Sequence, residues 1–194
     1  MKRSWFERDA LELAPDLLGK KLVHGPVTLR ITEVEAYRGP SDSAAHTAKG
    51  HTPRNAPMWG PGGHAYVYLC YGIHHMMNVV GGQGHACLVR SAEVVDGLEV
   101  VRQRRGGRSG PALLTGPGKV GQALGLDVSL SGHDLLAPGG LRIEDGPVTE
   151  DMLRGPRVGI DYAEPEHRDA PWRLALAGTA WVSHRKTLVS WDRC

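Results

Sequence analysis

Apolar residues in ERDALELAPDLL, residues 7–18, recur at helical spacing and predict a helix or a helical pair broken near Pro15. The next segment, KKLVHGPVTLRITEVEAYRG, changes to alternation and predicts two strands around a Gly25–Pro26 turn. Residues 38–64 have no period and are rich in Gly, Pro, Asn and Ser, which predicts a long loop of the kind that usually carries function. AYVYLCYGIHHMMNVVGG then reads as a β-hairpin, HACLVRSAEVV as a strand and DGLEVVRQRR as a helix. GPGKVGQALGL predicts a helix behind a glycine-rich entry, and after the turn-rich SGHDLLAPGG the segments LRIED, RVGID, WRLAL and AWVS predict short strands. No repeat or break in composition divides the chain. The expectation is a single α+β domain over residues 1–194, with a curved, mostly antiparallel β-sheet, flanking helices and a protruding β-hairpin.

Composition changes this picture only a little. The 41% hydrophobic and 23% charged content is that of a soluble globular protein. No apolar run approaches the ~20 residues needed to span a membrane, so no membrane partner is expected. The start, MKRSWFERDALELAPDLLGKK, follows its basic residues with acids instead of an apolar stretch and does not read as a signal peptide. The three cysteines, Cys70, Cys87 and Cys194, are odd in number and unevenly spaced, which predicts reduced thiols and a cytoplasmic location. Net charge is only +2, yet Arg102, Arg104, Arg105 and Arg108 crowd into RQRRGGRSG, with no acid between Glu99 and Asp127. That segment suits phosphate, and equally suits a solvated loop.

Three stretches are candidates for chemistry. In TLRITEVEAY, alternation puts Leu29, Ile31, Glu33, Glu35 and Tyr37 on one face and Arg30, Thr32, Val34 and Ala36 on the other. A carboxylate at a core margin can take on the raised pKa and fixed orientation of a general base, although a glutamate here more commonly faces water or pairs with Arg30 or Arg90, and spacing does not choose between Glu33 and Glu35. GPGKVG matches Gly-x-Gly-x-x-Gly by letter, without the flanking strand of a dinucleotide site or the serine of a P-loop. It leaves glycines and Lys119 at a helix N-terminus, which suits one DNA phosphate. In the hairpin, Tyr66, Tyr68 and Cys70 share a face, with Tyr66 read as core, while Tyr71 falls at the turn beside Gly72, where packing does not explain a large aromatic. The ten histidines show no metal-ligand spacing: His74 and His75 point to opposite faces of a strand, and His85-Ala86-Cys87 lacks the glutamate and cysteine pair of a zinc deaminase. Gly-x-Ser-x-Gly is also absent.

EVEAYRGPSDSAAH, TPRNAPMWGPGGHAYVYLCYGIHHMMNVV, ACLVRSAEV and GPGKVGQALG together resemble the alkyladenine (3-methyladenine) DNA glycosylase family, with weaker echoes in FERDALELAPDLLGKKL, PRVGID and WVS. The resemblance covers essentially the whole chain. It implies hydrolysis of the N-glycosidic bond of damaged purines, leaving an abasic site. It makes Glu35 the base that activates water, with Arg90 and the backbone carbonyl of Val158 holding that water. Tyr37, His46 and Tyr68 would sandwich the flipped base, Asn78 would line the pocket floor, and Tyr71 would fill the gap left in the duplex. Lys119, Arg105 and Arg54 would bind phosphates. Two positions depart from the family's habit: Ile73 stands where Met is familiar and Met77 where Cys is common.

Flipping a nucleotide costs a few kcal/mol, and stacking on an aromatic returns ~1–3 kcal/mol per base, so such a pocket offsets the cost best for weakly paired lesions. The resemblance implies no metal, no cofactor and no lysine nucleophile. The expected protein is a monofunctional, monomeric glycosylase acting on double-stranded DNA that contains damaged purines. Two rival readings are a damaged-DNA sensor without turnover and a metal-dependent hydrolase.

Overall fold

The computed structural model describes residues 1–147 and 151–191. Its centre is a 12-residue strand, β2 (Val27–Arg38), folded back from β1 (Lys21–His24) at the Gly25–Pro26 turn. β3 (Ala65–Cys70), β4 (His74–Gly82) and β5 (His85–Asp96) follow as an antiparallel meander, and β5 returns alongside β2. β6 (Arg142–Glu144) pairs with β1; β7 (Met152–Gly155), β8 (Arg173–Leu176) and β9 (Val189–Trp191) extend the other side of β2. The main path runs β3-β4-β5-β2-β8-β7-β9, and every pairing among the described residues is antiparallel. The α+β expectation therefore holds. Among the described residues no helix is long and apolar enough to cross a membrane.

Helix α1 (Ala10–Leu17) is one helix that runs through Pro15, not a broken pair. Asp9 caps it by accepting from Leu11 N at 2.8 Å, and Leu13, Ala14 and Leu17 are buried in the core that also takes Leu29, Ile31, Val34 and Ala36 of β2. A one-turn helix, α2 (Ala56–Trp59), lies inside the long loop that the sequence predicts between β2 and β3. Helices α3 (Leu98–Arg104) and α4 (Pro117–Leu124) follow β5 as expected.

The close approach of α4 to β4 explains two of the three glycines of GPGKVG, Gly118 and Gly121. A Cβ at Gly121 would stand 2.0 Å from the His75 carbonyl oxygen, and one at Gly118 would stand 2.8 Å from the His74 ring. These glycines let a helix lie against a strand with no side chain between.

Two predicted strands are absent. RVGID is an irregular loop, and so is AWVS. In the first, Arg157 turns inward to Asp42 and Val158 N donates to a carboxylate; in the second, Ser183 N donates to Glu33 and Trp181 O accepts from Thr32 Oγ1. Side chains satisfy backbone groups that a sheet ladder would otherwise need. The strands form nearby instead, as β7 and β9, with a short helix α5 (Pro165–Arg168) between β7 and β8. Cys70 and Cys87 are free thiols, and burial raises the pKa of Cys87; Cys194 lies outside the described residues.

Candidate active site

The alternation of β2 does not run unbroken. Its pairing with β5 shifts register between Ile31 and Glu33 and again between Glu33 and Val34. This bulge reverses the faces: Leu29 and Ile31 enter the core before it, Val34 and Ala36 after it. Glu33, Glu35 and Tyr37 are thereby turned away from the core that Leu29 and Ile31 join. The single-face expectation fails here for a definite physical reason, and the failure creates the site.

Both carboxylates are fully buried, but their surroundings differ. Glu33 accepts from Ser183 N at 2.8 Å, Ser183 Oγ at 3.0 Å, Ser91 Oγ at 2.5 Å and Arg173 Nη1 at 2.8 Å. Glu35 has a lighter set. Val158 N donates to Oε1 at 2.8 Å, the Tyr37 hydroxyl donates to Oε2 at 3.1 Å, and Arg90 Nη1 stands 3.3 Å from Oε1. Glu35, unlike Glu33, lines a cavity of about 540 Å³. Burial pushes its carboxyl above the ordinary glutamate range, against the pull of Arg90 and the Val158 N–H.

The loop that supplies the Val158 N–H is pinned on both sides. Arg157 forks onto Asp42 at 2.5 and 2.9 Å and donates to Ala36 O at 2.9 Å, while Arg173 Nε donates to Pro156 O at 2.7 Å. The Arg157 guanidinium also lies 4.6 Å from the Tyr37 ring centroid and 4.9 Å from that of Trp172. It backs the wall that Tyr37 presents to the cavity.

The opposite wall comes from β3. Tyr66, Tyr68 and Cys70 all line the cavity, and so does Leu69, which alternation assigns to the other face. Tyr66 is buried in a small cluster with Met58, Val80 and Ala86, so its core reading holds, and its hydroxyl also shares a 2.8 Å hydrogen bond with His46 Nδ1. The His46 ring meets Tyr68 edge-on at 4.6 Å, and burial followed by the Arg54 charge holds its pKa below the usual histidine value. Both effects favour the neutral imidazole. Asn55 Nδ2 fixes the His46 carbonyl at 2.9 Å. Asn78 is buried on β4, with Nδ2 donating to Tyr66 O at 3.2 Å, and it completes the lining beside Leu88 and Met76.

Two exposed tyrosines stand at the cavity. Tyr71 is 87% exposed, and its backbone is left-handed, with φ 50° next to Gly72 at 71°. Both central turn residues thus adopt positive φ, as a tight hairpin turn prefers. Tyr162, 71% exposed, is a cavity residue that the sequence candidates do not include; its hydroxyl donates to Ala44 O at 3.1 Å. It follows RVGID, and its only signal is a large aromatic in a segment that fails to form a strand.

The basic candidates divide. Arg54 belongs to the cavity wall: it donates to Leu69 O at 3.1 Å and lies 5.7 Å from the Tyr68 ring centroid. Arg105 and Lys119 lie outside the cavity, although Pro117, two residues before Lys119, lines it. Arg105 donates to Leu113 O at 2.8 Å and to Gln122. Partial burial, then the Arg105 and Arg108 charges, hold the Lys119 ammonium below the usual lysine pKa. Glu35, Arg90, Val158, Tyr37, His46, Tyr68, Asn78, Tyr71 and Arg54 thus converge on one cavity. Among the described residues, no group of three or more His, Cys, Asp or Glu is placed to hold a metal ion.

Residues 4–180 match the family described as methylpurine-DNA glycosylase (MPG). A protein of Nitrosococcus oceani named putative 3-methyladenine DNA glycosylase is 57% identical over 187 residues, covering 95% of this chain and 93% of that one. A protein of Arabidopsis thaliana named DNA-3-methyladenine glycosylase is 56% identical over 194 residues, covering 97% of this chain and 76% of that one. A putative 3-methyladenine DNA glycosylase of Corynebacterium glutamicum is 52% identical over 185 residues, covering 93% of this chain and 86% of its own. With the match spanning nearly the whole chain, this protein belongs to the methylpurine-DNA glycosylase family.

Proposed function

We propose that the protein takes a damaged purine nucleotide out of duplex DNA into the aromatic-walled cavity and hydrolyses its N-glycosidic bond with water activated by Glu35. The observation that carries this reading is Glu35 itself: a fully buried carboxylate that opens onto the cavity and is aimed by Arg90, Tyr37 and the Val158 N–H. Family membership supports it at the level of the activity.

The Tyr37, Tyr68 and His46 rings that line the cavity suit a planar base; stacking is worth ~1–3 kcal/mol per base, comparable with the few kcal/mol that flipping costs. As the bond to the purine breaks, the sugar takes on oxocarbenium character. The electron pair of that bond leaves with the purine, which as an alkylated, cationic base departs neutral. The Glu35 carboxylate stabilises the charge on the sugar and accepts a proton from the attacking water, whose oxygen becomes the sugar hydroxyl. General-base assistance of this kind is worth ~10²–10⁴-fold. Tyr71 fills the vacated position in the duplex: a left-handed non-glycine residue costs about 1–2 kcal/mol, and an exposed ring recovers none of that by packing within the protein. Asn78 at the lining supplies an amide to the purine edge, and Lys119, Arg105 and Arg54 serve backbone phosphates. The protein acts as a monomer in the cytoplasm and leaves the strand uncut.

Duplexes containing hypoxanthine or an alkylated adenine, incubated with the protein and EDTA and then treated with alkali, provide the test. Base release that survives EDTA and vanishes in Glu35→Gln is the expected result. Tight lesion binding without release indicates a sensor, and loss of release with EDTA indicates a metal enzyme. Full activity in Glu35→Gln together with loss in Glu33→Gln would transfer the base role to Glu33.

A further inference from the structure

Arg173, Glu33, Arg90 and Glu35 form a file of alternating charge that ends at the cavity. Arg173 Nη1 stands 2.8 Å from Glu33 Oε1, Arg90 Nε stands 3.5 Å from the same oxygen, and Arg90 Nη1 stands 3.3 Å from Glu35 Oε1. Glu33 is fully buried and does not line the cavity, so no substrate atom reaches it. Taking a carboxylate and its partner out of water costs several kcal/mol per ion, and apolar side chains of similar volume often fill such a space as stably. Stability alone therefore gives a weak reason for a charge at this position.

Ser183 links the file crosswise. Its hydroxyl accepts from Arg90 Nε at 2.9 Å and donates to Glu33 Oε1 at 3.0 Å. The inner edge of the Arg90 guanidinium is thus occupied, which leaves Nη1 to meet Glu35. On the other side, Arg173 is held by Glu33 and itself holds Pro156 O at 2.7 Å, two residues before the Val158 N–H that donates to Glu35.

We infer that Glu33, with Ser183, is a positioning residue of the glycosylase site: it orients Arg90 from β5 and, through Arg173, the 156–158 loop, so that both meet Glu35 in one fixed geometry. The inference rests on the reading of Glu35 as the base. It also has an electrostatic consequence. Glu35 is faced by Arg90 from β5, Glu33 and Tyr37 from β2, Tyr68 from β3 and Tyr162 from the loop after Val158. Among these the Glu33 charge works to raise the Glu35 pKa. Neutralising Glu33 removes that repulsion and leaves Arg90 to pair with Glu35 alone, and both changes favour the ionised base.

The test measures single-turnover excision of hypoxanthine from duplex DNA against pH, together with lesion-duplex affinity and thermal unfolding. Glu33→Gln is expected to lower the plateau rate at least about tenfold, because Arg90, no longer held back by Glu33, closes onto Glu35 and blunts the base, to change affinity less than about threefold, and to move the acid limb to lower pH. Ser183→Ala removes the cross-link but keeps the charge. It lowers the rate several-fold with the acid limb unmoved, and it serves as the test should Glu33→Gln fold poorly. A rate loss matched by the unfolded fraction, with an unchanged pH profile in both variants, makes Glu33 merely structural and overturns the inference. Wild-type rates in both variants, with Glu35→Gln inactive, overturn the positioning role while leaving the base assignment standing. Activity in Glu35→Gln removes the base assignment, and the positioning role with it.

Discussion

The Tyr37 hydroxyl does two jobs whose separation can be measured. Its ring forms a cavity wall, and its O–H donates to Glu35 Oε2 at 3.1 Å, favouring the ionised carboxylate that burial disfavours. Tyr37→Phe keeps the wall and deletes the donor. The Glu35 pKa then rises further, so the acid limb of the excision rate moves to higher pH, opposite in direction to the shift for Glu33→Gln. Single-turnover rates of Tyr37→Phe and wild type are expected to converge on the alkaline side and diverge toward acid. An equal loss at every pH would mean that the hydroxyl acts on the substrate and not on the base. Single residues are also where the sequence is hardest to read. Alternation narrows the base to two glutamates, but the register shifts between Ile31 and Val34 decide which way each one points, and no local propensity marks that bulge. Tyr162 and Ser183 stayed hidden because each matters through partners more than 100 positions away, Ala44 for one and Glu33 for the other.

At the scale of elements, Asp9 shows how a cap can also clamp a helix to a sheet. It accepts from Leu11 N at the start of α1, and it takes Arg38 of β2 through Nε at 3.0 Å and Nη2 at 2.6 Å. Burial works against the charge, but Arg38 and the Leu11 N–H prevail and hold the carboxyl below the usual aspartate range. Asp9→Ala is expected to cost about 1–2 kcal/mol in denaturant unfolding, mostly from the lost cap, since the ion pair is partly exposed. The sign of the pH dependence follows. A depressed carboxyl stabilises the fold above the unfolded value of ~3.9 and loses that contribution as pH falls through its lower folded value. The gap in stability between wild type and Asp9→Asn should therefore close as the pH is lowered from about 5 to about 2. A gap that stays constant would show that hydrogen bonding alone carries the effect. Elements were the most legible part of the fold. The hairpin, both central strands and three helices follow from period and turn residues, because their backbones pair with one another. RVGID and AWVS mislead because buried carboxylates and Arg157 engage their backbone and side chains, an arrangement that alternation cannot reveal.

For the whole molecule, a net charge of +2 says little about a polyanion, yet the distribution of charge says a good deal. Where α3 and α4 meet, next to the helix whose Pro117 lines the cavity, burial and then the Arg108 charge hold Arg105 below its usual pKa, and burial and then the Arg105 and Arg108 charges do the same to Lys119. Their mutual repulsion is relieved by an anion. Arg105 is already tied to Leu113 O and Gln122, whereas Lys119 has no ion-pair partner among the described residues. The sequence shows this cluster as two separate basic features, and only the packing of α4 on β4 through Gly118 and Gly121 brings the Lys119 end beside the hairpin. If Lys119 neutralises one phosphate, Lys119→Gln should lower the slope of log affinity against log salt by ~0.9. Phosphate contacts carry no sequence or lesion information, so lesion-bearing and undamaged duplexes should weaken by the same factor. The single-turnover rate at saturating protein should remain that of wild type, because Lys119 does not line the cavity that holds Glu35. A selective loss for the lesion duplex, or a salt slope that does not move, would show that Lys119 serves the flipped state or the fold and not the backbone.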